Sequence, residues 1–172
     1  MQAARERFAA EGYDRATIRA IAADAGIDPA LVMRYYGSKE GLFAAAAVFD
    51  LRLPDPTGLP RARLGAGIVD HFITRWEEDD TLQALLRAAV TNPTAADRMR
   101  EVFAAQVAPV LATVIADRRT AASRAGLIAS HLLGLALCRY VLELPPVVAM
   151  SKESILSRMG PVIQQYLEAT PW

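Results

Sequence analysis

The chain has 172 residues, 53% of them hydrophobic, with 19 Lys and Arg against 19 Asp and Glu and a single cysteine, Cys138. That length suits one large core or two smaller units, and a hydrophobic content rich in Ala and Leu favours helix over strand. Zero net charge gives no whole-chain support to a nucleic-acid partner, one cysteine excludes an internal disulfide framework, and the lack of an apolar signal core behind Met1 leads to the expectation of a soluble, cytoplasmic chain.

In chain order, Ala3 to Ala10 predicts a helix ended by Gly12. Thr17 suits the cap of a second, with Ile18, Ile21, Ala22 and Ala25 on one face. Gly26 supplies a tight turn, Asp28 a side-chain cap and Pro29 a first helical position, so a third helix runs to about Tyr35. Gly37 ends it and Ser38 caps a fourth, which extends to about Leu51 and buries Leu42, Phe43, Ala46 and Phe49. Pro54, Pro56, Gly58 and Pro60 then mark a boundary between units 1–50 and 51–172.

Beyond it, helices are expected over Arg61–Glu77, Thr81–Thr91 and Pro93–Ala116, the last kinked at Pro109. An apolar helix from Thr120 to Leu144 precedes a loop at Pro145 and Pro146, and an amphipathic helix covers Lys152–Glu168. The apolar stretch Leu127 to Cys138 contains Ser130 and His131 and is shorter than the ~20 residues that span a bilayer, so no membrane span is expected.

Two short helices joined by a Gly turn, the second opened by a cap and Pro, form a helix-turn-helix pattern. Over residues 1–45 the charges balance: Arg5, Arg7, Arg15, Arg19, Arg34 and Lys39 face Glu6, Glu11, Asp14, Asp24, Asp28 and Glu40. A DNA-binding role therefore rests on where the charges sit. Thr17 and Ser38 stand at helix starts, where free N–H groups hold phosphate oxygens, and Arg19 and Arg34 are long donors suited to guanine edges.

The run from Gly12 to Ile27, continued by Tyr35-Tyr36-Gly37-Ser38-Lys39-Glu40-Gly41-Leu42-Phe43, resembles the N-terminal region of the TetR family of bacterial transcriptional regulators. The resemblance covers roughly Ala3 to Phe49 and continues only as a helical layout. It implies an all-α fold: an N-terminal three-helix helix-turn-helix DNA-binding unit and a C-terminal helical ligand-binding and dimerisation domain. It further implies that Thr17, Tyr35 and Lys39 meet the DNA backbone, while Arg19 and the first turn of the third helix, Asp28, Pro29 and Ala30, read bases. Where the family commonly has an aromatic phosphate contact two positions before Tyr35, this chain has Met33, which donates no hydrogen bond.

The last two long helices resemble the family's dimer bundle, with Leu127, Leu132, Gly134, Leu135, Ala136 and Leu142 on one and Ile155, Val162, Ile163 and Tyr166 on the other. His71, Arg75 and Trp76, with His131 and Arg139, are polar or aromatic groups in apolar helices, the composition of a pocket for a small-molecule effector. The implied function is a repressor released from operator DNA by a small apolar or amphipathic molecule. Alternatives are a ligand-independent helix-turn-helix regulator and a small helical enzyme or lipid-binding protein. A zinc site wants about four N or S ligands, and His71, His131 and Cys138 are all this chain has, so no metal or cofactor is expected. Gly65-Ala66-Gly67 lacks the third glycine of a nucleotide-binding loop, and the acidic run Glu77, Glu78, Asp79 and Asp80 reads as solvated.

Overall fold

Side-chain caps decide where the helices of the first fifty residues start. Thr17 Oγ1 accepts from the Ala20 N–H, Asp28 Oδ1 from Ala30 and Ser38 Oγ from Gly41. Each bond occupies a donor that has no partner inside its own helix. The resulting elements are α1 (Gln2–Arg15, broken at Gly12), α2 (Ile18–Asp24), α3 (Pro29–Tyr36) and α4 (Lys39–Ala46). The turn between α2 and α3 passes through Gly26 at φ 65°, a conformation that strains any residue with a Cβ.

The computed structural model describes residues 1–78 and 80–168, so Asp79 of the acidic run lies outside it, while Glu77, Glu78 and Asp80 are exposed. The fold is all-α, with no strand among the described residues. Two compact units form: Met1–Asp50 with Asp79–Glu101, and Leu51–Glu78 with Val102–Trp172. The units are therefore not the sequential stretches 1–50 and 51–172. The reason lies in α6 (Asp80–Ala89), which packs on α1 and α4 and buries Leu82, Leu85 and Leu86.

In the first unit an aromatic cluster surrounds Phe43, whose ring lies 4.9 Å from Tyr13, 5.0 Å from Phe8 and 5.8 Å from Phe49, edge-on to each. Ile21, Ala22, Val32 and Leu42 complete this core. Ala25 is exposed, contrary to its expected place in the α2 stripe, because the helix ends at Asp24 and the chain turns away. Phe49 is buried as expected, yet α4 stops at Ala46 rather than reaching Leu51. There Arg5 Nε donates to the Ala46 carbonyl, satisfying a terminal acceptor, and Ala47 is extended.

The second unit begins with two 3₁₀ turns, Pro56–Gly58 and Arg61–Arg63, and continues into α5 (Leu64–Glu78). α7 (Pro93–Val102) belongs, through Glu101, to the first unit; in the second, a π-helical turn, Phe103–Val107, leads into α8 (Ala108–Val114). The Ala108 N–H bonds to Phe103 O, so the wider π register falls beside Pro109, which has no N–H to give to the α-helical ladder. α9 (Ala121–Ala136) ends in another π turn, Leu137–Val141, followed by α10 (Pro145–Val148) and α11 (Lys152–Leu167). Pro145 and Pro146, expected in a loop, open a helix because proline suits the first helical positions. Pro161 lies inside α11, a feature the periodicity of that helix conceals.

α5 and α11 cross closely where Gly65 and Ala66 meet Gly160. A Cβ on Gly65 would collide with Gly160 O and lie 2.6 Å from Gln164 N, and the Gly65 N–H donates to Gln164 Oε1 at 2.8 Å. Gly65 is thus a helix-crossing residue. Around this contact Val69, Ile73, Leu111, Ile128, Leu132, Ile155, Ile163 and Leu167 form the core. Four residues expected at the dimer face, Leu132, Ala136, Ile155 and Ile163, are buried inside the unit instead, because their sides of α9 and α11 face the core. By length and composition alone, the helix Ala121–Val141 would suffice to cross a membrane.

Candidate nucleic-acid interface

The balance of charges in the first unit is resolved by pairing. Arg7 bonds both carboxylate oxygens of Asp24, at 2.7 and 2.6 Å, and reaches Glu11 at 2.6 Å, tying α1 to α2. Arg5 is held by Ala46 O and Arg15 by Glu11 O. Lys39 Nζ donates to Asp14 O at 3.0 Å and lies 4.5 Å from the centre of the Tyr13 ring. Tyr13 in turn donates to Glu40 at 2.6 Å. Burial, followed by this bond to a carboxylate, pushes the Tyr13 hydroxyl above its ordinary range, and the same bond is the main cause holding Glu40 low.

Arg19, Arg34 and Tyr35 are treated differently. All three are exposed, Tyr35 at 79%, and no hydrogen bond or ion pair holds them among the described residues. Arg19 lies on α2 and the other two on α3, the pair of helices joined at Gly26. Unpaired guanidinium groups on a helix-turn-helix suit phosphate oxygens and guanine edges. Thr17 and Asp28 cap the two helices, and Pro29 and Ala30 form the first turn of α3. Ser38 Oγ accepts from Gly41 N at 3.1 Å and from Asn92 Nδ2 at 3.0 Å, the latter a partner 54 positions away that no local pattern reveals.

The expected effector residues of the second unit fall into separate groups. Trp76 is buried, with its ring centre 5.2 Å from Phe72 and stacked 6.1 Å from Tyr140. Glu77 accepts from the Tyr140 hydroxyl at 3.3 Å and pairs with Arg139 at 3.5 Å. Burial and the Glu77 charge push Tyr140 up to about 12. Arg139 also donates to the carbonyls of Val147, Val148 and Met150, so its main contacts hold the end of α10. Arg75 is buried on α5 beside Trp76.

His71 sits elsewhere, its Nε2 donating to Leu51 O at 2.8 Å, while the Leu51 N–H donates to Gln106 Oε1 at 2.9 Å. His131 Nδ1 donates to Leu127 O, and its ring lies 5.4 Å from that of Tyr166. Sequence reasoning missed Tyr140 and Gln106. Both act through partners more than fifty positions away, and neither lies in a local motif.

Residues 1–46 match the family model for bacterial regulatory proteins of the tetR family, and residues 62–167 match the tetracyclin repressor-like C-terminal domain. A solved TetR-family regulator from Streptomyces coelicolor A3 is 28% identical, over 96% of this chain and 91% of that one, with a TM-score of 0.51. A transcriptional regulator from Rhodococcus sp. Rha1 shares the fold at 23% identity, over 96% of this chain and 92% of its own, with a TM-score of 0.54. No curated protein matches the chain. Two family models that together span nearly the whole chain, laid over a capped helix-turn-helix with unpaired arginines, lead to one conclusion: the chain belongs to the TetR family of bacterial regulatory proteins.

Proposed function

We propose that this chain is a ligand-responsive, cytoplasmic repressor that binds operator DNA as a homodimer and leaves it when a small apolar or amphipathic molecule binds the second unit. Members of this family are DNA-binding regulators and not enzymes. One observation carries the DNA-binding half: every other cation of residues 1–45 is engaged within the unit, while Arg19 and Arg34 stay free on the helix-turn-helix. Thr17, Ser38 and Tyr35 are assigned to the phosphate backbone, with Lys39 joining them once it leaves Asp14. Arg19, Arg34 and the first turn of α3, Asp28, Pro29 and Ala30, are assigned to bases.

The dimer reading is supported by α9. Gly126 and Gly134 have open space where a Cβ would stand, and Leu127, Leu133 and Leu137 are half-buried. So apolar a helix is ordinarily covered, and a second copy of α9 and α11 supplies the cover. The effector reading is supported by the aromatic stack of Phe72, Trp76 and Tyr140 with Arg75, Glu77 and Arg139 beside it, apolar walls with a few orienting groups. His71 and His131 are carried as further effector contacts. The states with and without effector need differ by only ~1 to 3 kcal/mol to change DNA affinity ~5- to 150-fold.

Footprinting the purified protein on DNA flanking its gene tests the whole reading. A protected, salt-sensitive site of two half-sites about one helical turn apart is expected. Lack of any protection together with a monomeric mass in light scattering would overturn it.

A further inference from the structure

The outward side of α3 restricts which bases it can read. Val32 is buried, and Pro29 and Tyr36 are half-buried. At 100° per residue the opposite side carries Ala30, Leu31 and Arg34, flanked by Met33 and Tyr35. Leu31 is 43% exposed and Met33 45%, and Ile27 just before the helix is 46% exposed. Single exposed apolar residues are ordinary, but Ala30 and Leu31 lie on either side of Arg34 on the outward side of this short helix. Ala30, Leu31 and Arg34 carry no side-chain acceptor, Asp28 Oδ1 is engaged by the Ala30 N–H, and no amide side chain is present to grip adenine. In the major groove the one apolar feature is the thymine methyl group, and paired acceptors for a guanidinium are found on guanine.

Building on the assignment of α3 as the groove-entering helix, we propose that each operator half-site places a guanine under Arg34 and, next to it, one or two thymines whose methyl groups pack against Ala30 and Leu31. Apolar contact with thymine then carries sequence discrimination alongside the single guanidinium. Met33, which replaces the hydrogen-bonding aromatic common in the family, extends that apolar surface toward the groove edge.

The test uses the full chain and duplexes selected by it from a random pool. Thymines of the selected half-site are replaced one at a time by deoxyuridine, which keeps every hydrogen-bonding atom and loses only the methyl. The guanine is replaced by 7-deazaguanine, which loses the N7 acceptor. Binding should weaken about fourfold for each methyl removed under the helix and roughly tenfold or more at the guanine. Leu31→Ser, at an exposed position and checked by thermal melting for an intact fold, should bind thymine and uracil duplexes equally at one of those positions.

If uracil is tolerated throughout while Arg34→Ala and 7-deazaguanine remain coupled, the thymine proposal fails and the groove-reading assignment stands. The proposal also fails if uracil sensitivity persists unchanged in folded Leu31→Ser. Recovery of no selected sequence at all would remove both.

Discussion

Gly65 and Gly67 stand two residues apart on α5, and the structure predicts opposite consequences for the same substitution. In Gly65→Ala the new methyl meets Gly160 O and Gln164 N of α11, backbone atoms that move only if the helices part. Overpacking of this kind costs about 1 to 3 kcal/mol, and parting the helices also weakens the Gly65 to Gln164 hydrogen bond, worth about 1 kcal/mol. Alanine's better helix propensity returns at most about 1 kcal/mol. The net expectation is a loss of about 1 to 3 kcal/mol. In Gly67→Ala the methyl meets only the tip of Leu59, an exposed side chain that can rotate away, so propensity prevails and stability is unchanged or higher by up to about 1 kcal/mol.

Urea unfolding followed by circular dichroism, at fixed protein concentration because a dimer's stability depends on it, measures both variants. With a denaturant slope of about 2 kcal/mol/M, Gly65→Ala should lower the midpoint by about 0.5 to 1.5 M. Equal midpoints for the two variants would refute the close crossing of α5 and α11.

Three further outcomes are expected. Lys39→Ala should weaken binding to operator and random DNA alike and lower the salt slope by about one, whereas Arg19→Ala should also relax preference at a base position; equal losses on both DNAs would remove Arg19 as a base reader. Gly134→Arg, where the chain itself leaves open space, should keep native helicity yet give a monomer in analytical ultracentrifugation, and a variant that stays dimeric would exclude α9 from the interface. Tyr140 is raised to about 12, so its neutral form stabilises the fold below pH ~10 and that contribution is lost as pH rises toward 12. Tyr140→Phe should therefore flatten the alkaline limb of the stability profile and remove the tyrosinate absorbance change centred near pH 12.

By itself the sequence determined the helical class, the helix-turn-helix and its three capping residues, because these depend on neighbours in the chain. Thr17, Asp28 and Ser38 each bond an N–H two or three positions on, and Gly26 makes a local turn. α4 ends at Ala46 and not near Leu51, and the Arg5 contact that satisfies the Ala46 carbonyl comes from 41 positions away, where no local pattern shows it. Composition also showed six cations against six anions in residues 1–45 without showing which were occupied. Only the tertiary structure set Arg7 against Asp24 and Lys39 against Asp14 while leaving Arg19 and Arg34 free. It likewise turned Leu132 and Ile163 inward and brought Tyr140 onto Trp76. An apolar periodicity states that a helix face is covered but not by what, and an ion pair or aromatic stack between distant segments leaves no spacing in the sequence to read.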